Sequence, residues 1–123
     1  MRPPPTFLTT TENNLPDYHI IERFGVVRGI TVRSRSIFGT LGAVFQQLRG
    51  GDISLLTDLC EQTRANAFNL AIAHAKALGA NALIALRYDA TEIMQGVSEV
   101  LCYGTAVRIV PIRQLPDEEP PTA

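Results

Sequence analysis

Apolar residues in this chain fall in dense runs whose spacing changes from strand-like to helical and back. From Tyr18 to Val32 the run YHIIERFGVVRGITV is crowded with Ile, Val and Phe, residue types that suit a pleated, half-buried surface, and it reads as the first strand region. Gly25 and Gly29 mark bends, bulges or close backbone approaches within it. Further on, Ile37, Leu41, Val44, Phe45 and Leu48 recur at helical spacing, while Gly39 and Gly42 each weaken a helix by roughly 1 kcal/mol relative to Ala, so a short, loose helix is predicted. Gly50-Gly51 breaks it. Asp52 or Ser54 then offers an N-cap oxygen for a long helix running to about Leu78. Its stripe of Ala65, Phe68, Ala71, Ile72, Ala75 and Leu78 is what a helix lying on a sheet needs. Gly79 stands where a left-handed C-cap ends such a helix.

The next two runs, Ala82 to Ile93 and Val97 to Val110, read as strands joined through Met94-Gln95-Gly96-Val97 into a hairpin. In the first, Ile84, Leu86 and Tyr88 alternate with Leu83, Ala85, Arg87 and Asp89. In the second, Leu101, Tyr103, Val107 and Ile109 alternate with Val100, Cys102, Gly104 and Ala106. Both faces of the hairpin therefore carry apolar residues. One helix covers one face of a small antiparallel sheet, so the pattern predicts that the other face is buried against a second copy of the chain.

The ends differ from the middle. Residues 1–17 are rich in Pro, Thr and Asn, with little to bury, and are expected to be extended or mobile. Within them Phe7-Leu8-Thr9-Thr10 is β-prone and suited to a sheet edge, including that of a neighbouring subunit. Pro111 stops the last strand, and residues 111–123, acidic and proline-rich, read as a disordered tail. That leaves residues 18–110 as one α+β domain, in line with a length of 123 residues.

Composition narrows the function classes. With 46% hydrophobic and 19% charged residues the chain is globular, and it has no apolar run of about 20 residues that would span a membrane. A net charge of −1 provides no broad positive field for nucleic acid or an anionic membrane. Cys60 and Cys102 fall on the predicted helix and a strand, and the opening MRPPPTFLTT has no apolar core of an export signal. A reduced, cytoplasmic protein is expected.

Candidate chemistry is sparse. No CxxC, HxH, HExxH, GxGxxG or Walker pattern occurs. Cys60 and His74 are 14 residues apart on one helix, about 21 Å, too far to share a ligand within a subunit. Glu92 and Glu99 are the sharpest metal candidates: if Gln95-Gly96 is a two-residue loop, Met94 pairs with Val97 and the two carboxylates face each other, a repulsion that a cation relieves. Set against this, solvated carboxylates at a hairpin end need no ligand. Cys102 and His19 are further metal candidates, although a buried packing cysteine and a structural histidine account for them more simply. Arg87 and Asp89, two residues apart on one strand face, either line a cleft for a small polar ligand or form an ion pair that sets subunit register. Ser34 and Ser36 beside Arg33 and Arg35 read as a solvated turn. No pairing of a nucleophile with its base is visible, and no catalytic residue is assigned.

Several strings together resemble one family: Gly25-Val26-Val27-Arg28-Gly29, Gly79-Ala80-Asn81-Ala82, Arg87-Tyr88-Asp89 and Glu99-Val100-Leu101-Cys102-Tyr103-Gly104-Thr105-Ala106-Val107, with Thr9-Thr10 near the start. They are similar to the YbjQ-like family, also described as "putative heavy-metal-binding" proteins, over about Leu8 to Val110. The resemblance implies a two-layer, dodecin-like β-α-β-β subunit, a long helix on an antiparallel sheet, and assembly into a ring-shaped homopentamer. The function expected is that of an oligomeric binding protein holding a divalent transition metal ion or a small ligand at its subunit interfaces. The alternatives are an enzyme whose site is shared between subunits, drawing on Asp89, Glu92, Glu99 or His19, and a structural or adaptor protein.

Overall fold

The computed structural model describes residues 6–34 and 54–112. The predicted helix over Ile37 to Leu48, Ser36 and Arg35, and the tail from residue 113 lie outside them. In chain order the elements are β1 (Leu8–Thr9), β2 (Tyr18–Ser34), α1 (Ser54–Ala77), β3 (Ala82–Met94) and β4 (Val97–Pro111). The strands form one sheet in the order β1-β3-β4-β2 with α1 packed on one side, mainly over β2 and β4. The sheet is mixed, not purely antiparallel: β1 runs parallel to β3, because the segment preceding β2 returns along the outer edge of the hairpin. Among the described residues no helix is long and apolar enough to cross a membrane.

Helix α1 spans 24 residues, about 36 Å. Its end is set by Gly79, at φ +95°. That conformation lets the Ala80 amide reach Ala75 O at 3.1 Å and the Gly79 amide reach Lys76 O at 3.0 Å, the two bonds of a Schellman cap. Arg108 Nη2 adds a 2.7 Å bond to Gly79 O. Next to the cap, Asn81 acts as an extra rung of the ladder. Its Nδ2 donates to Ile109 O at 2.9 Å, and its Oδ1 accepts from Ile109 N at 2.7 Å.

The line of closest approach between the layers is Ala67, Ala71 and Ala75, all fully buried. Ala65 and Leu78, expected on the buried stripe, are exposed, Leu78 by 50%. Alanines at intervals of four stack along one side of a helix, and Gly29 of β2 lets that side come down onto the strand backbone: a Cβ at residue 29 would meet Ala67 O at 2.1 Å. The core at this interface adds Val27, Ala80, Leu83, Leu86, Cys102 and Ala106, with Phe24 and Phe68 partly buried against it.

The opposite, open side of the sheet has a smaller cluster of Leu15, Ala82, Ile84, Val107 and Ile109, flanked by Leu8, Tyr18 and Ile20. The N-terminal segment thus has something to bury after all. Leu15 is its anchor, and the segment is tied to β3 by Leu8 N to Asn81 O, Thr10 N to Leu83 O, Leu86 N to Thr10 O and Ala85 N to Glu12 O, at 2.8 to 3.1 Å. Phe7-Leu8-Thr9-Thr10 accordingly adds to a sheet edge of its own chain.

A bulge in β3 changes the expected faces. The register passes from Ile84 opposite Thr105 to Arg87 opposite Tyr103, so Ala85 and Leu86 take the place of one residue, with Ala85 at φ +53°. Leu86 and Tyr88 are thereby moved to the helix side, where Leu83 already lies, and Ile84 stays on the open side. A regular alternation would have kept Ile84, Leu86 and Tyr88 together. The extra residue frees the Ala85 and Leu86 amides for Glu12 and Thr10, so the bulge and the N-terminal strap are one device.

Candidate functional site

The bulge brings Tyr88 directly opposite Cys102 on the helix side. Cys102 is fully buried and its thiol hydrogen-bonds with Tyr88, which is 37% exposed. From α1, the Arg64 guanidinium lies 5.5 Å from the centre of the Tyr88 ring, a cation–π contact, and Glu61 adds a like-signed field. Burial pushes the Cys102 thiol up, and the Tyr88 hydroxyl only partly offsets this. Tyr88 is raised too, first by burial and then by Cys102, against the opposing charge of Arg64. A thiol held protonated is a poor nucleophile and a poor metal ligand.

The acidic pair at the hairpin end comes apart. Met94 does face Val97 across Gln95-Gly96, but a second register shift between Glu92 and Met94 inserts Ile93. Glu92 then lies opposite Ser98, and Glu99 opposite Thr91. Because neighbouring positions along a strand alternate in face, the two carboxylates sit on opposite sides of the sheet. The predicted Glu92–Glu99 confrontation is therefore corrected: one bulged residue removes the repulsion that would have called for a cation.

Arg87 and Asp89 both lie on the open face, opposite Tyr103 and Leu101. Arg87 Nη1 donates to Thr11 O at 3.0 Å and to Leu86 O at 2.9 Å, which pins the N-terminal strap where it leaves the edge of β3. His19 sits on edge strand β2 opposite Val110, far along the sheet from the hairpin end. His74, exposed on α1, places Nδ1 2.6 Å from Arg28 O, and Cys60 is exposed nearer the start of α1. Among the described residues no three of His, Cys, Asp and Glu converge in a way that would hold a metal ion. The strap forms a depression of about 310 Å³, lined by Thr10, Glu12, Leu15, Asp17 and Tyr18 among others. There Thr10 Oγ1 donates to Glu12 Oε1 and accepts from the Glu12 amide, both at 3.1 Å.

Tyr88 and Arg64 are absent from the candidates read off the sequence. The available signal was the pair Leu83 and Leu86: both are apolar enough to demand the core, yet they are three apart, which a strand achieves only through a bulge.

Comparison with known proteins identifies the family. Residues 7–110 match the YbjQ family model, whose description is "Putative heavy-metal-binding". A UPF0145 protein of Solibacter usitatus is 62% identical over 107 residues, covering 87% of this chain and 96% of its own length. UPF0145 proteins of Burkholderia thailandensis and Burkholderia mallei are 57% and 56% identical over 103 residues, 84% of this chain and 93% of theirs. With a match that runs from β1 through the strap, β2 and α1 to the end of the hairpin, the chain belongs to the YbjQ-like, UPF0145 family.

Proposed function

We propose that the protein is an oligomeric binding protein that holds a metal ion or a small ligand where its subunits meet. The observation that carries this reading is the open face of the sheet. Val26, Ile30 and Val32 of β2 project there at 72%, 43% and 48% exposure, out of reach of α1 on the other side and of the strap around Leu15. Apolar surface of this kind is worth about 25 cal/mol per Å² when removed from water, and a second copy of the chain is the partner always at hand. A ring of dodecin-like subunits, the homopentamer implied by the family resemblance, covers it.

Metal binding has its support in the family description. Since no three suitable donors converge among the described residues of one chain, a three-donor site built from those residues draws on two subunits, with Glu92, Glu99 and His19 as candidate donors and the buried, protonated Cys102 as the weakest candidate. Arg87 and Asp89 are the candidates for a small polar ligand. Two free cysteines suit a reducing, cytoplasmic setting.

Light scattering on the purified protein tests the assembly: a single oligomeric species is expected, and a monodisperse monomer at micromolar concentration defeats the reading. Calorimetric titration of that oligomer with Zn²⁺, Cu²⁺ and Ni²⁺ tests the metal. Saturable heat in whole-number ratio to subunits is expected; no heat and no thermal stabilisation at metal excess removes the metal from the proposal.

A further inference from the structure

One row of the sheet crosses its open face as arginine, tyrosine, arginine. Arg28 of β2 and Arg87 of β3 both lie opposite Tyr103 of β4, one on each side of it. Residues opposed on antiparallel strands share a face. This face is the open one, because the adjacent residues Gly29, Cys102 and Leu86 lie on the side of α1. Both arginines are exposed, and Tyr103 is half-buried between them. Opposed Cα atoms are about 5 Å apart, so the two arginines rise about 10 Å from each other with the phenol in the gap.

Resting on the small-ligand half of the reading above, we infer that this row binds a phosphomonoester, its phosphate held between Arg28 and Arg87 and its organic group laid against Tyr103. Three observations support the site. First, among the described residues neither guanidinium is paired with a carboxylate, and the Arg28 side chain makes no hydrogen bond. Second, Arg87 is already oriented. Its Nη1 is taken by Thr11 O and Leu86 O, which leaves Nε and Nη2 as one edge of the planar fork for an oxyanion. An arginine held in this way loses less freedom on binding. Third, the rows on either side differ. One carries Ile84, Thr105 and Val26, uncharged and with a hydroxyl, and the other carries Asp89, Leu101 and Ile30. An anion is therefore drawn to the Thr105 side of the arginines, away from Asp89.

Charge selects the ligand. Two guanidiniums match a phosphomonoester, which carries about −1.5 to −2 charges at pH 7 on three acceptor oxygens, better than a carboxylate with its single charge. The chain's net charge of −1 supplies no broad positive field, so the attraction is confined to this row. Val26 and Ile30 stand on the same face of β2 to either side of Arg28, so the site borders the apolar surface that a second copy covers.

Calorimetric titration of the full-length protein with phenyl phosphate, inorganic phosphate and benzoate tests the site. Saturable binding of phenyl phosphate, one per chain, is expected to be about tenfold tighter than that of either of the others, which each lack one half of the ligand. Arg28→Gln should weaken it about tenfold or more, and Tyr103→Leu should bring it down to the affinity for inorganic phosphate. Arg33→Gln makes the same charge change on the helix side of β2, opposite Ser98, and should leave binding unchanged. Circular dichroism of each variant should match the parent, and Arg28→Gln, at an exposed side chain, carries the test if Tyr103→Leu folds poorly. No saturable binding of phenyl phosphate at millimolar concentration overturns the proposal. An equal loss in Arg28→Gln and Arg33→Gln reveals diffuse attraction and overturns it too, as does benzoate binding as tightly as phenyl phosphate. Light scattering on the same samples separates the site from the assembly. An oligomer that binds no phenyl phosphate overturns the site while leaving the oligomer reading standing; a monomer that binds it through Arg28 supports the site and overturns the oligomer.

Discussion

The packing of α1 on β2 makes a quantitative prediction at Gly29. A Cβ there would lie 2.1 Å from Ala67 O, 2.6 Å from Ala71 N and 2.8 Å from Leu70 Cβ. Two of these atoms are helix backbone, which has no rotamer to change, so Gly29→Ala forces the whole helix outward by about 1.4 Å before the contact with Ala67 O reaches the ordinary range of about 3.5 Å. That loosens the Ala67, Ala71 and Ala75 seam along its length. Overpacking costs typically about 1–3 kcal/mol, and a rigid obstacle places this case near the top, about 3 kcal/mol. For a domain of this size the midpoint falls by about 10–15 °C. Gly25→Ala is the informative control: nothing lies within 4 Å of a Cβ there, but φ is +96°, so only the backbone is strained, at roughly 1–2 kcal/mol. The assay is thermal unfolding of both variants at one fixed protein concentration, because association shifts the midpoint. A Gly29→Ala midpoint within 2–3 °C of the parent, on the order of the noise for a neutral change, or a cost below that of Gly25→Ala, refutes the account of the helix seat.

Other residues give further tests. Asn81→Ala removes both bonds to Ile109 and leaves a part-buried amide and carbonyl unmet; a loss of about 1–3 kcal/mol in urea unfolding is expected, and an unchanged midpoint refutes the rung. Arg87→Ala releases the join between Thr11 O and Leu86 O, so limited proteolysis should begin within the strap well before it does in the parent; unchanged cleavage kinetics count against the pin. Maleimide should label Cys60 promptly and Cys102 only on unfolding, given their exposed and buried positions; equal rates contradict the buried thiol. Cys102 and Tyr88 are both raised in the folded state, so the folded form holds these protons more tightly than the unfolded chain. Their contribution is complete below the unfolded thiol value of 9.0 and is lost as pH rises past it. Urea midpoints should therefore decline above about pH 9, and less steeply in Tyr88→Phe; a flat profile to pH 11 contradicts the burial argument.

The candidate site was less legible than the fold. Cys102 was identifiable from its strand and its small neighbours Gly104 and Ala106, and Arg87 and Asp89 were correctly assigned to one face. Tyr88 and Arg64 were not found, and Glu92 was paired with the wrong residue. The common cause is register. In a strand the face of every later residue depends on the count of all earlier ones, so one inserted residue at Ala85 or Ile93 reverses everything beyond it. Beyond the three-residue spacing of Leu83 and Leu86, local composition carries no mark of such an insertion, because its stabilisation comes from partners distant in sequence: the Ala85 bulge is held by Glu12 O and Thr10 O.

What the sequence determined by itself is what short-range physics controls. The long helix and its stop at Gly79, the hairpin about Gln95-Gly96 and the end of β4 at Pro111 all lie where helical spacing, the C-cap with its positive φ and the missing proline amide require. The tertiary structure alone decided that Ala67, and neither Ala65 nor Leu78, lies on the buried side of α1, that the N-terminal strap runs parallel to β3 over a core seated on Leu15, and which faces the hairpin carboxylates occupy. Those outcomes turn on contacts across the fold, Gly29 beneath Ala67 and Glu12 against Ala85, whose energies no stretch of neighbouring residues contains.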